Sequence, residues 1–210
     1  MRILPAACAA LALAAAACGR SLDTRLLQAA KHGDSRTVAA MLSRGANVEA
    51  LDEDGWTPLL WAAAHGDEAT VAALLDAGAD LGVVTRRDGQ GPLTQAAKWN
   101  RPAVVALLIR RGADPKKRDA IGWTPLMWAS LKGRTDVVAA LIDGGASVET
   151  SDAEGNTPLI LAARQGRQDT VALLLRRGAH TGARTAAGET AESLSRAAGY
   201  PKVAALLTSR

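Results

Sequence analysis

The sequence predicts an all-α solenoid, in which helix-turn-helix units stack and a β-hairpin loop protrudes between one unit and the next. Three observations carry this. The dipeptide Gly-Ala recurs at Gly45, Gly78, Gly112, Gly145 and Gly178, with spacings of 33, 34, 33 and 33 residues. A second ladder runs beside it at Pro58, Pro92, Pro125 and Pro158, each followed by leucine and preceded by threonine except at Gly91. Self-similarity at such a period marks an array in which each unit buries its apolar face against its neighbours. The chain of 210 residues also has no Phe and one Tyr, so its core must consist of thin aliphatic layers.

Each element of the unit has a local cause. In the second unit Thr57 is placed to cap a helix, because its hydroxyl can accept an orphan backbone N–H. Pro58 follows at the first helical position, where its missing N–H costs nothing. Gly66 ends that helix in the left-handed conformation. Asp67 opens a second helix with Val71, Leu74 and Leu75 on one face, and Gly78 stops it. Gly33, Gly133, Gly166 and Gly199 share the position of Gly66, and Asn100, the next most tolerant residue, fills it in the third unit. Helices of two or three turns do not persist alone in water, so neighbours must supply the stability. Paired small residues at one offset (Ala29-Ala30, Ala62-Ala63, Ala96-Ala97, Ala129-Ser130, Ala162-Ala163) let adjacent helices approach closely.

These residues resemble the ankyrin repeat, whose pattern joins a Thr-Pro-Leu-His helix start to a closing Gly-Ala-Asp. The resemblance spans roughly residues 22–210, as six units: an N-terminal cap over 22–51, repeats over 52–85, 86–118, 119–151 and 152–184, and a C-terminal cap over 185–210. The family's histidine is Leu60, Thr94, Met127 and Ile160 here, so the hydrogen bonds it makes between repeats are not expected. In the last unit Glu192 replaces a buried leucine, and Ser195-Arg196 replaces the small pair, as the polar outer face of a terminal unit requires.

The first 17 residues read as a secretory leader. An apolar run from Ile3 to Ala17 follows Met1-Arg2, too short to span a bilayer, and ends in the small residues of a cleavage site. Ala15-Ala16-Ala17-Cys18 is similar to a bacterial lipoprotein box, which makes Cys18 the expected lipidation site and residues 18–21 a short tether. Once the leader is removed Cys18 is the sole remaining cysteine, and a lone thiol in an oxidising compartment is a liability that acylation removes. The several acyl chains of such a cysteine suffice for stable anchoring. By that resemblance the expected location is the periplasm, anchored to the outer membrane, with a soluble periplasmic or secreted form as the alternative.

A net charge of +4 is too mild to point to nucleic acid. Its distribution says more. The first and fourth hairpins are acidic (Glu49, Asp52, Glu53, Asp54; Glu149, Asp152, Glu154), and the second and third are basic (Arg86, Arg87; Lys116, Lys117, Arg118). Catalytic chemistry has little to stand on. His32 and His65 share one offset in successive units, so stacked helices would hold them about 8–10 Å apart, too far to share a metal. There is no His-Glu-x-x-His, no Gly-x-Ser-x-Gly and no glycine loop for phosphate. No catalytic residue, metal, cofactor or small-molecule substrate is expected.

The family resemblance implies instead a protein partner, met through hairpin tips and the exposed positions of the first helices on a concave side. Trp56, Gln90 and Trp123 precede the Thr-Pro positions, and Lys98, Trp99 and Lys132 fall just before the helix ends. Tryptophan is the residue most enriched at binding hot spots. Trp61 and Trp128, inside the helical pattern, read as packing residues. The third unit departs most from the rest: an extra residue between Asp80 and Asp88, Arg86 where neighbours have Asp, Gly91 for Thr, and Trp99-Asn100 at the turn. Local departures mark functional sites, so Arg86, Arg87, Lys98 and Trp99 are expected to converge as a binding centre. The partner is expected to be an envelope protein, for instance an enzyme that this chain inhibits or assists; a host protein bound by a secreted effector is the alternative.

Overall fold

The computed structural model describes residues 22–208, and the leader 1–17, Cys18 and the tether 18–21 lie outside the described residues. Among the described residues twelve helices follow one another: α1 (22–32), α2 (Ser35–Ser43), α3 (Pro58–His65), α4 (Glu68–Asp76), α5 (Pro92–Lys98), α6 (Pro102–Arg110), α7 (Pro125–Lys132), α8 (Thr135–Asp143), α9 (Pro158–Arg164), α10 (Gln168–Arg176), α11 (Ala191–Ala197) and α12 (Pro201–Thr208). They form two layers. Helices α3, α5, α7, α9 and α11 pack in succession as an inner row, and α2, α4, α6, α8, α10 and α12 as an outer one. None of the described helices is long and apolar enough to cross a membrane.

Helix starts follow the capping rules. Thr57, Thr124 and Thr157 each accept the backbone N–H three residues on, at 3.3–3.4 Å, whereas Gly91 offers α5 no side-chain cap. The core is aliphatic. Leu59, Leu74, Leu108, Leu126, Leu141, Leu159 and Leu174 are fully enclosed, and Ala62, Ala96, Ala129 and Ala162 sit where the inner helices meet. The positions that carry histidine in the ankyrin pattern are buried as Leu60, Thr94, Met127 and Ile160.

The hairpins are tight turns and not extended ladders. Asp52 N donates to Trp56 O, Asp119 N to Trp123 O and Asp152 N to Asn156 O, each closing a five-residue turn. Among the described residues the only β-bridge joins Arg184 and Thr190. The third unit corrects the sequence expectation. Its turn closes from Thr85 N to Gln90 O, so the extra residue lies inside the turn, and Thr85, not Arg86, takes the position of Asp52 and Asp119. The Thr85 hydroxyl accepts the Gln90 amide at 3.0 Å, doing part of the carboxylate's work.

The turn glycines also lock neighbouring repeats. Arg101 and Arg167 lie across Gly66 and Gly133, and their Nε atoms donate to Ala64 O at 2.9 Å and Leu131 O at 3.2 Å. A Cβ at Gly133 would meet the Arg167 side chain at 2.7 Å, so the bare glycine makes the crossing possible. Asn100 is the one non-glycine residue of positive φ (59°) among those described, and it does carry a Cβ. Arg134, the arginine of the following repeat, keeps its Nε buried without a partner.

Candidate functional site

The inner helices and turn bases form one continuous face, and the tryptophans divide it into two pairs. Trp56, at the base of the first turn, tilts against Trp61 of α3 with ring centroids 4.4 Å apart. Trp123 tilts against Trp128 of α7 in the same way, at 4.7 Å. A lysine from the end of the preceding inner helix covers each inner ring: Lys31 lies 4.3 Å from the Trp61 centroid and Lys98 4.7 Å from that of Trp128. An aspartate fixes each ring from below. Asp52 accepts the Trp61 indole N–H at 2.7 Å while also accepting the amides of Asp54 and Trp56. Asp119 accepts the Trp128 indole N–H at 2.7 Å and the amides of Ile121 and Trp123.

Every member recurs with one spacing. Lys31 and Lys98, Asp52 and Asp119, Trp56 and Trp123, Trp61 and Trp128 are each 67 residues apart, two repeats. Gln90 and Gln95 stand at the intervening Trp positions and Asn156 and Leu161 at the following ones. The sequence reading placed Trp61 and Trp128 in the packing and passed over Lys31. Trp61 does pack against the aliphatic core, and aligning the units in twos would have shown in addition the repeated group to which these residues belong.

The first pair opens onto a groove of about 250 Å³, walled by Trp56, Trp61 and Trp99 and edged by Lys31, His65 and Arg101. Trp99 is 56% exposed, the most open of the aromatic side chains across this face. An exposed indole beside two others is costly to leave in water. The Trp56 indole N–H makes no hydrogen bond among the described residues, whereas Trp123 donates its own to Asp152 at 2.9 Å.

The remaining expected contact residues divide. Lys132 is exposed at the end of α7. Lys98 is half-buried, and burial, reinforced by the nearby Lys132 charge, pushes its ammonium below the ordinary lysine range despite Asp88 and Asp119. Gln90 departs from the expectation of a contact: it is 2% exposed, accepts from Lys98 Nζ at 2.7 Å and from Gln95 at 3.2 Å, and reaches Asp119. It positions Lys98 over Trp128. Arg86 and Arg87 stay at the turn tip and do not line the groove. Arg86 lays its methylenes over Gly55, and Arg87 makes only a 3.9 Å approach to Asp88. The expected single centre is therefore split, with Trp99 serving the first pair and Lys98 the second. Further along the basic stretch, Lys117 donates to Gly82 O, and Arg118 to Ser151 O and Thr150 Oγ1, so these cations bind neighbouring turns.

His32 meets the carbonyl of Gln28 at 2.8 Å, and the His65 ring packs on Gly33. Among the described residues no group of three or more His, Cys, Asp or Glu could hold a metal ion. A family model described as "Ankyrin repeats (3 copies)" matches residues 26–119 and, overlapping them, 104–185. No curated protein matches the chain.

Proposed function

This chain belongs to the ankyrin-repeat family, whose members are in general protein–protein interaction modules, and on that premise we propose that it is a non-catalytic binding protein of the bacterial envelope. It takes its protein partner on the inner-helix face and turn tips. One observation carries the reading: three indoles, Trp56, Trp61 and Trp99, wall an open groove in which none of the described residues is seated. A partner side chain held there gains from desolvating all three rings. Lipid at Cys18 would place the array at the periplasmic side of the outer membrane, within reach of an envelope enzyme that it restrains or assists.

Crosslinking in the native cell with a photoreactive group at His65, followed by mass identification, tests the interaction. A single partner crosslinked by the wild type, and lost with Trp99→Ala, is the expected result; no specific partner, or one indifferent to Trp99, overturns it. The anchor is tested separately. The mature protein should fractionate with membranes and carry lipid mass on its N-terminal peptide, and Cys18→Ser should release it or leave precursor. An unmodified Cys18 in the soluble fraction overturns the anchor and leaves the interaction standing.

A further inference from the structure

A row of basic side chains marks the ends of the inner helices. Lys31, Lys98, Lys132 and Arg164 lie at or near the ends of the inner helices. None of the four forms an ion pair among the described residues. Cations suit helix C-termini by themselves. Three carboxylates beside the row are already engaged: Asp52, Asp119 and Asp152 each accept backbone amides and at least one side-chain N–H. Asp88 and Asp119 attract the Lys98 ammonium, but burial and Lys132 outweigh them. Lys98 in particular sits between the two tryptophan pairs, half-buried and beside Lys132, where an incoming carboxylate would relieve both burial and repulsion.

Spacing supplies the second constraint. Inner helices that pack about 8–10 Å apart put stations two repeats distant roughly 16–20 Å from each other. An extended chain covers that span in about five or six residues at ~3.3 Å each. A segment rich in carboxylates repels itself and stays extended.

We infer that the inner-helix face binds an acidic, extended segment of its protein partner that carries two apolar side chains five or six residues apart. One seats in the groove of Trp56, Trp61 and Trp99, and the other against Trp123 and Trp128, with the carboxylates between them on Lys98 and Lys132. This rests on the interaction reading above and names the chemistry of the partner. Joining two weak contacts makes the second one intramolecular, so their affinities multiply without any new contact.

The test titrates the full-length protein with synthetic peptides and follows its tryptophan fluorescence. The probe carries two phenylalanines six residues apart in a Glu/Ser background; the controls carry one phenylalanine, or lysine in place of glutamate. The two-anchor acidic peptide should bind at least tenfold tighter than the one-anchor form, and the lysine form should not bind measurably. Salt should weaken the acidic peptide. Trp99→Ala should reduce the two-anchor peptide to the one-anchor affinity, and Lys132→Glu, at an exposed position that leaves folding untouched, should cost about tenfold. Equal binding of acidic and basic peptides, or no advantage from the second anchor, overturns the inference. If the peptides fail in this way while a native partner is still crosslinked and lost with Trp99→Ala, the interaction reading stands and only the acidic, two-anchor chemistry falls.

Discussion

The two tryptophan pairs hold equivalent places two repeats apart, and they differ in how firmly the protein holds them. In the later pair both indole N–H groups donate to carboxylates, Trp123 to Asp152 and Trp128 to Asp119. In the earlier pair only Trp61 is held so among the described residues, by Asp52. The turn that follows Trp56 has Thr85 where the turn after Trp123 has Asp152, and threonine has no second oxygen to offer the indole. The residues facing the pairs differ too: Trp99 stands across from the first, and Gln165 occupies its position two repeats on. One framework thus yields a pair held by two carboxylates and a pair held by one, through two residue changes at fixed offsets. A repeat array can leave one indole free to meet a partner by withholding a bond that it forms elsewhere.

The carboxylates under the pairs give the largest expected effect. Asp119 is buried, and its removal would strand the Trp128 indole, two backbone amides and the Gln90 side chain. Asp52 is half-buried and supports one indole and two amides. Losing hydrogen bonds to a charged acceptor, with buried donors left unpaired, should destabilise Asp119→Ala by about 3 kcal/mol and Asp52→Ala by about half of that. Denaturant midpoints at constant slope measure both. Equal losses would show that the two pairs are equally well held and dissolve the comparison.

Tryptophan truncations come next and should separate stability from binding. Trp123 is half-buried, stacked and hydrogen-bonded, so Trp123→Ala should cost about 2 kcal/mol of folding stability, less than a fully buried ring would. Trp99→Ala removes an exposed ring and should change folding stability by less than about 0.5 kcal/mol. The same change should weaken the partner by about 2 kcal/mol, chiefly through faster dissociation. Thermal melts beside binding kinetics would distinguish them. Unfolding of the Trp99→Ala protein would make that ring part of the core and end its candidacy as a contact.

Much of this architecture was legible in the sequence because it depends on neighbours within one unit. Thr57, Pro58 and Gly66 act within a single helix, and Asn100 adopts the left-handed conformation that its offset requires. What sequence reading missed involves contacts across units. Gln90 aligned with two tryptophans and so looked like a contact, yet its partners are Lys98, Gln95 and Asp119, the last 29 residues away. Arg86 was matched to Asp52 because the inserted residue could be placed on either side of Thr85, and only the closing hydrogen bond decides. The latches of Arg101 and Arg167 reach back 37 and 36 residues to carbonyls that no local pattern marks.

Thr85→Asp would make the first pair resemble the second. The new carboxylate would stand where Asp152 stands relative to Trp123, and it should accept the free Trp56 indole N–H. A gain of about 1 kcal/mol in folding stability is expected from one charge-assisted hydrogen bond. Partner affinity should fall, because a held Trp56 adapts less and the added negative charge opposes an acidic segment. Ultraviolet resonance Raman of the indole N–H can read the bond directly. A more stable protein whose Trp56 stays unbonded would place the gain in the turn and not in the pair.

The smallest expected effect concerns the lysine over the inner ring of the later pair. Burial holds the Lys98 ammonium below the ordinary lysine range in the folded chain, with Lys132 acting in the same direction and Asp88 and Asp119 opposing. A lowered lysine pKa means that the unfolded chain binds the proton more tightly than the folded one. Its charged form therefore costs stability at neutral pH, and that cost disappears as pH rises through the folded value towards the unfolded one. Other groups titrate in the same alkaline window, so the informative quantity is the difference between wild type and Lys98→Met. Wild type should gain stability relative to the variant as pH rises towards 10.5. Partner carboxylates bound at Lys98 would favour the charged form and reverse the sign, so the slope should invert in the complex. A free protein whose Lys98→Met difference is flat with pH would mean that Lys98 is no more confined than a surface lysine, and the Gln90 contact would then have no electrostatic consequence.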